Sequence, residues 1–242
     1  MSARTLARTV TKAVRRPVRT TRVLLDRRAW AGLAWFVRDA RSWQPADADQ
    51  LVTSRRYRSY KAYVAHQRSK LALLDLSEYD RRFRAALAAR LAGEDWTGRS
   101  VLCLAARLGT EVKAFHDVGA FAVGIDLNPG EENPWVLHGD FHHLVFPNRC
   151  VDAVYCNALD HALDLDRTVD EIRRVLRPDG RLIVDAQQGV ADAAAFDAWA
   201  ATAWKETDDL VKAIEARGMT LLDRQRITEP WPGEQLVFVT SR

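Results

Sequence analysis

Apolar and polar positions follow two rhythms along this chain. Residues 101–104, Val-Leu-Cys-Leu, form a continuous apolar run, the pattern of a strand buried on both faces. A turn follows over 105–110. Val112, Phe115 and Val118 then recur at helical spacing before Gly119, which can end a helix. Residues 121–125 make a second apolar run that stops at Asp126. The spacing predicts a β–turn–α–β unit, the building block of parallel sheets. An acid at the carboxyl end of the second strand can accept two hydrogen bonds from a ribose. The pattern points to a nucleotide-like ligand.

Ahead of this unit the rhythm is helical. Trp30, Leu33, Ala34 and Val37 fall on one helix face, widened by Phe36 and flanked by Arg27, Arg28, Arg38 and Arg41. Such a face either lies on a membrane surface or docks on the globular domain. Residues 45–49 read as a linker. Tyr57, Tyr60, Val64 and Leu71 fit the stripe of a second helix. Tyr79, Phe83, Leu87 and Leu91 fit a third, with Ser77 as its cap and Gly93 as its stop. Near the other end, residues 190–206 are Ala-rich, hold Phe196, Trp199 and Trp204, and predict a helix roofing a substrate pocket. Residues 208–218 predict another helix. Residues 219–222 and 236–240 predict two strands, with Pro230-Trp-Pro-Gly233 in the loop between them. The expected organisation is a basic arm with an amphipathic helix over 1–45, a helical cap region over 46–98 and an α/β domain over 99–242.

Residues 101–109 resemble the first strand and turn of the class I S-adenosylmethionine-dependent methyltransferases (methyltransferase type 11-like), which usually read hydrophobic-V-L-D-L-G-C-G-x-G. Cys103 stands where that family has its acid, Ala105 and Arg107 stand in place of two glycines, and Gly109 is kept. Val136-Leu-His-Gly-Asp140 is similar to the family's third strand and G-D pair. Residues 151–157 resemble its fourth strand, and 171–185 its helix, L-R-P-D-G turn and fifth strand. The resemblance implies a Rossmann-like, doubly wound, seven-stranded α/β sheet. That sheet is mostly parallel with an antiparallel last strand, and N-terminal helices precede it. The resemblance also implies S-adenosyl-L-methionine as cofactor. Asp126, with Leu127 beside it, is then expected at the ribose, and Asp140 at the adenine amine with Phe141 covering the ring. Ala105, Arg107 and Gly109 are expected at the methionyl part, with Glu111 and Asn157 in the same set. Arg107 points away, or bridges to the cofactor carboxylate or to Glu111. Tyr57, Tyr60, Tyr63, His66 and Gln67 are candidates for a cap over the cofactor.

A methyl group on a sulfonium already has a good leaving group, so alignment is the enzyme's main task. A hydroxyl acceptor also gains from a base. His161 is the expected base, held by Asp160 or Asp164, because histidine titrates near neutrality; otherwise it orders the start of a helix. His142 and His143 are candidates for the same crevice. His138, Asp140 and His142 share one face of an extended strand, a conceivable three-ligand set. Asp140 already has the adenine role, however, and no Cys/His pair has zinc-finger spacing, so no metal is expected.

The chain has 242 residues, 48% of them hydrophobic, and eight Trp, enough for a full α/β domain and an appendage. Its longest apolar run, 30–37, is far below the roughly twenty residues that span a bilayer. No apolar signal core follows the basic N-terminus. Cysteines 103, 150 and 156 read as small core residues in a reducing compartment. The expected location is cytoplasmic, with a membrane-peripheral or organelle-targeted protein as alternatives. Residues 1–45 hold eleven Lys/Arg and two acids, whereas the whole chain is only +4. The basic character therefore belongs to the arm, and residues 1–41 are a candidate contact for membrane or polyanion. The expected acceptor is a small molecule or a glycan oxygen. No specific nucleic acid is expected: the presumed active edge has no basic stripe, and Asn157-Ala-Leu-Asp160 stands where a nucleic-acid enzyme would show N-P-P-(Y/F/W). Two other classes stay open. One is a non-catalytic domain of the same fold, suggested by Cys103, Ala105 and Arg107. The other is a Rossmann-type nucleotide binder, against which Ala105–Thr110 lacks G-x-G-x-x-G.

Overall fold

The computed structural model describes residues 43, 50–73, 77–130, 132–191, 193, 196 and 198–240. The expected basic arm and amphipathic helix (apart from Trp43) and the expected linker at 45–49 lie outside the described residues. The first part of the described chain is β1 (Val52–Ser54), then helices α1 (Tyr60–Leu73) and α2 (Ser77–Leu91). The expected unit follows as β2 (Ser100–Leu104), α3 (Thr110–Asp117) and β3 (Phe121–Asp126). Next come β4 (Val136–His138), β5 (Val151–Cys156), a single 3-10 turn over Leu159–His161, α4 (Leu165–Val175) and β6 (Leu176–Gln187). The chain continues through β7 (Thr202–Trp204), α5 (Thr207–Glu215), β8 (Met219–Ile227) and β9 (Gly233–Thr240).

Seven strands form one sheet in the order β4-β3-β2-β5-β6-β9-β8. The pairs from β4 to β6 are parallel, and β9 runs antiparallel to both β6 and β8. Strand alternation explains why β2 reads as unbroken apolar sequence. Val101 and Cys103 face the layer of α2 and α3, with Leu87, Val112 and Phe115. Leu102 and Leu104 face the opposite layer, with Val169, Ile172 and Leu210 of α4 and α5. Helix α4 forms because Leu165, Val169, Ile172 and Val175 share its buried face, each worth roughly 1.5–3 kcal/mol when fully buried. The Asp164 side chain caps it by accepting from Arg167 N at 3.0 Å. Gly124 lets α3 and the turn after β2 come down on β3. A Cβ there would meet Ala106, Val112 and Val136 at 2.8–2.9 Å.

One expected element is corrected. The described residues of 190–206 include no α-helix. Thr202–Trp204 is strand β7, and it pairs antiparallel with β1 in a separate two-stranded sheet. Val52 lies opposite Trp204, and this partner about 150 residues away outweighs the local helical spacing of alanines and aromatics. The stretch is stitched to the end of β5 by Ala201 N to Asp160 O (2.7 Å) and Thr202 Oγ1 to Ala162 O (2.8 Å). The region read as a helical cap therefore also contains strand β1.

Candidate active site

A cleft opens at the carboxyl ends of β2, β3 and β5. The strand order reverses between β2 and β5, the point at which open parallel sheets take ligands. Ala105, Arg107, Asp126 and Leu127 line one side, and Phe141, Ala158 and His161 another. Helix α1 closes over them with Tyr63, Gln67, Arg68 and Lys70.

The turn after β2 keeps the shape that glycines normally give it. Ala105 has φ 52°, Arg107 φ 44° and Gly109 φ 74°, all in the left-handed region that costs a residue with a Cβ. The retained glycine has a steric reason as well: a Cβ on Gly109 would lie 2.6 Å from Trp135 Cβ. The turn is tied to the end of β3. Arg107 N donates to Asp126 Oδ2 at 3.1 Å, and Asn128 N donates to Oδ1 at 2.7 Å. Burial raises the Asp126 carboxyl above its ordinary value, and the backbone bond from Asn128 offsets part of that. Each oxygen keeps a further lone pair for a ligand hydroxyl.

The Arg107 guanidinium lines the cleft, and among the described residues it has no hydrogen bond or ion pair. It does not bridge to Glu111. Glu111 stands behind the turn, 4% exposed. Its Oε1 accepts from Asn157 Nδ2 at 2.8 Å, while its Oε2 is buried without a partner. Burial pushes this carboxyl up to about 7. Asn157 Nδ2 also reaches Tyr79 Oη at 3.4 Å. Cys103 is fully buried in the same layer, and burial, then the charge of Glu111, holds its thiol well above the ordinary value.

Asp140 is already engaged. His142 N and Nδ1 donate to its Oδ1 at 2.9 and 2.7 Å, and the Tyr60 hydroxyl donates to Oδ2. Burial alone would raise this carboxyl, but the bonds from His142 and Tyr60 outweigh it and hold the group at about 2. His142 Nε2 accepts from Leu163 N at 3.0 Å, so both ring nitrogens serve structure. His143 bonds Arg167. Among the described residues no group of three or more His, Cys, Asp and Glu is arranged to hold a metal ion.

His161 is 8% exposed at the cleft wall. Its Nδ1 lies 3.0 Å from the Trp199 carbonyl. A carbonyl only accepts, so Nδ1 carries the proton and Nε2 offers its lone pair. Gln67 Nε2 donates to the same carbonyl at 2.8 Å and fixes it. Lys70 Nζ lies 2.9 Å from His161 Nε2. Asp160 Oδ2 is 3.7 Å from that nitrogen and accepts from Gln187 Nε2 at 3.0 Å. Asp164 is occupied with capping α4. A backbone carbonyl thus orients the ring at Nδ1, with Asp160 beside Nε2.

The cleft brings together Ala105, Arg107, Asp126, Leu127, Phe141 and His161. Gly109, Glu111, Asp140, Asn157 and Asp160 stand next to the lining and support it. Lys70 and Arg68 were missed in the sequence. Lys70 was legible, since Tyr63, Gln67 and Lys70 lie at i, i+4 and i+7 on one face of α1.

The sheet order, the antiparallel β9 and the cleft at the reversal point define the fold of the class I methyltransferases. The same fold is found in a Burkholderia thailandensis 1,6-didemethyltoxoflavin-N1-methyltransferase solved with 1,6-didemethyltoxoflavin and S-adenosylhomocysteine. The two are 19% identical, with 83% of this chain and 100% of that one covered and a TM-score of 0.61. A Pyrococcus horikoshii protein is 20% identical over 68% of this chain and 92% of its own, with a TM-score of 0.55. A SAM-dependent methyltransferase of Aquifex aeolicus is 12% identical over 69% and 99%, with a TM-score of 0.53. No curated protein matches the sequence. Residues 102–184, about a third of the chain, match the family model of the methyltransferase domain. That match falls on the stretch whose motifs, between 101 and 185, led one to expect it, and the structures named share the fold.

Proposed function

We propose that the protein transfers the methyl group of S-adenosylmethionine to an oxygen of a small molecule or glycan. The observation that carries this reading is the turn at 105–109. It holds the left-handed conformation at Ala105 and Arg107 although neither is glycine. That strained geometry persists where a cofactor backbone approach needs it. The orphaned Glu111 oxygen and the unpaired Arg107 guanidinium fit a ligand with charged groups of both signs at that end. Asp126 is the ribose acceptor in this reading, Asp140 the adenine partner, and Phe141 an apolar wall.

When bound, S-adenosylmethionine supplies an electrophilic methyl group with a neutral thioether as leaving group. The chain's own residues do the rest. Gln67 and the Trp199 carbonyl keep His161 in the tautomer whose Nε2 accepts a proton. An acceptor hydroxyl in place of Lys70 at Nε2 would give its proton to the ring, leaving its oxygen able to take the methyl group that the cofactor would supply. Asp160, 3.7 Å away, steadies the imidazolium that forms. Helix α1 covers the cleft and excludes water. Residues 1–41 add reversible contact with an anionic surface through their Arg content.

Calorimetric titration with S-adenosylmethionine and S-adenosylhomocysteine, with NAD as control, tests this. Micromolar binding of the first two and none of NAD is expected. A folded protein that binds neither would make the domain non-catalytic, with Arg107 as the residue that closed the site.

A further inference from the structure

Outside the basic arm, positive charge is concentrated in one place. Residues 50–73, which build β1 and α1, hold six Lys/Arg and no acid, whereas residues 77–242 hold 19 Lys/Arg against 27 Asp/Glu. The roof of the cleft is therefore a cationic island on an acidic domain. Arg56, Arg58, Lys61 and Arg68 are exposed on it. Arg68 also lines the cleft, and its Nη2 reaches the Leu127 carbonyl at 3.5 Å. Lys70 lines the cleft too and is half-buried, with Nζ 2.9 Å from His161 Nε2 and 5.7 Å from the centroid of the Trp199 ring. With Arg107 these make three cations among the described lining residues, against one acid, Asp126. The acids closest to this point are held by their own donors: Asp160 by Gln187, and Asp126 by the backbone of Arg107 and Asn128.

We infer that the methyl acceptor is an alcohol bearing an oxyanion, a carboxylate or a phosphate, beside its reacting hydroxyl, and that Lys70 is the residue that selects it. The inference rests on the cofactor and base readings above and names the acceptor class they leave open. A hydroxyl at His161 Nε2 takes the position to which the Lys70 ammonium now donates. The ammonium sits on a flexible stem, so it stays beside that hydroxyl and meets whatever group the acceptor carries next to it. A charge-assisted bond to an oxyanion there is about twice as strong as one to a neutral oxygen. An oxyanion bound at Lys70 is attracted also by the sulfonium, which must stand close to the same hydroxyl for transfer. The O–H proton goes to His161 Nε2 as the S–CH3 bond breaks and the O–CH3 bond forms. The positive charge of the sulfonium is thereby replaced by that of the imidazolium, so the oxyanion is matched before and after the step. Arg68 and the exposed cations of the roof act earlier, drawing an anion towards the cleft at low ionic strength.

Binding tests the acceptor class before any substrate is known. The probes are glycolate against ethylene glycol and glycerol phosphate against glycerol, each pair differing by the oxyanion. They are titrated by ligand-observed NMR onto the full chain loaded with sinefungin, an unreactive analogue of S-adenosylmethionine that carries an ammonium in place of the sulfonium. In at least one pair the anion is expected to bind about tenfold tighter or more than its neutral partner, the scale of a hydrogen bond to a charged group. A preference in one pair alone tells carboxylate from phosphate. The preference should shrink when S-adenosylhomocysteine, which lacks the positive centre, replaces sinefungin, a comparison that needs no variant to fold. Lys70→Met keeps an unbranched stem and should abolish the preference, while bound sinefungin reports on the same sample that the cofactor site is intact. Equal binding within both pairs, no measurable binding of either anion, or a preference that neither S-adenosylhomocysteine nor Lys70→Met diminishes would overturn the acceptor class and leave the cofactor reading standing. So would a loaded protein that ignores both pairs and holds a single-stranded oligonucleotide. A chain that binds neither sinefungin nor S-adenosylhomocysteine overturns both readings.

Discussion

A left-handed φ costs Ala105 and Arg107 on the order of 1 kcal/mol each, and neither residue announces that conformation in the sequence. The turn was legible only through its flanking strands and its last glycine; the backbone shape that decides whether it can meet a ligand was not. Asp126, by contrast, was readable from the place where an apolar run stops. Replacing Asp126 by Ala should weaken S-adenosylhomocysteine by about 1.5–3 kcal/mol, the scale of a hydrogen bond to a charged group. Calorimetry that returns an unchanged affinity would remove Asp126 from the ribose site. Glu111 makes a prediction about stability as well. Its carboxyl titrates near 4.5 when unfolded and at about 7 in the fold. The native state therefore holds the proton longer, and this residue's contribution to stability is full below about 4.5 and is lost as pH rises to about 7. Glu111→Gln should thus stabilise the ligand-free protein at pH 8 by an amount on the order of 3 kcal/mol. The gain should vanish near pH 4, as urea denaturation at both values would show.

At the scale of elements, helices and strands of the α/β core followed from periodicity because each is buried on a face that its own sequence specifies. Strand β7 did not, since its pairing residues lie in β1 and local spacing carries no record of them. The orientation of His161 was hidden for a related reason: its acceptor is the Trp199 carbonyl, and every residue has a carbonyl. Two contacts between elements can be tested. Gly124→Ala puts a methyl group within 2.8–2.9 Å of three side chains between α3, β3 and β4. It should cost about 1–3 kcal/mol by overpacking, seen as a lower denaturation midpoint with an unchanged slope. Arg90 of α2 pairs with Asp185 of β6, which also accepts from Tyr155 and Gln235 at 2.7 and 2.8 Å. Asp185 is 2% exposed, and Arg90→Ala would strand it. The expected loss is about 3 kcal/mol. Because the stranded carboxyl can then take up a proton, the loss should shrink in acid.

For the molecule as a whole, the strand order reverses at the cleft, and one helix of the preceding region spans the opening. Tyr60 on Asp140, Lys70 on His161 and Gln67 on the Trp199 carbonyl join α1 to three separate parts of the site. No described helix is long and apolar enough to cross a membrane. The seven-stranded architecture was legible because the motifs between 101 and 185 appear in order. The roof was legible in its tyrosines and in the face that Tyr63, Gln67 and Lys70 share, whereas Arg68 carried no such signal.

The position of β9 has a consequence for how this chain is made. It is synthesised after β8, yet it lies between β8 and β6 and supplies hydrogen bonds to both. On the ribosome β8 has no sheet to join until the following segment has emerged, so the β9–β8 edge of the sheet closes in a single late event. Pulsed hydrogen exchange during refolding should find the β8 amides protected no earlier than those of β9, and after those of β2 and β5. A nascent chain stalled before residue 233 would expose the free edge of β6, the kind of unpaired strand that chaperones shield.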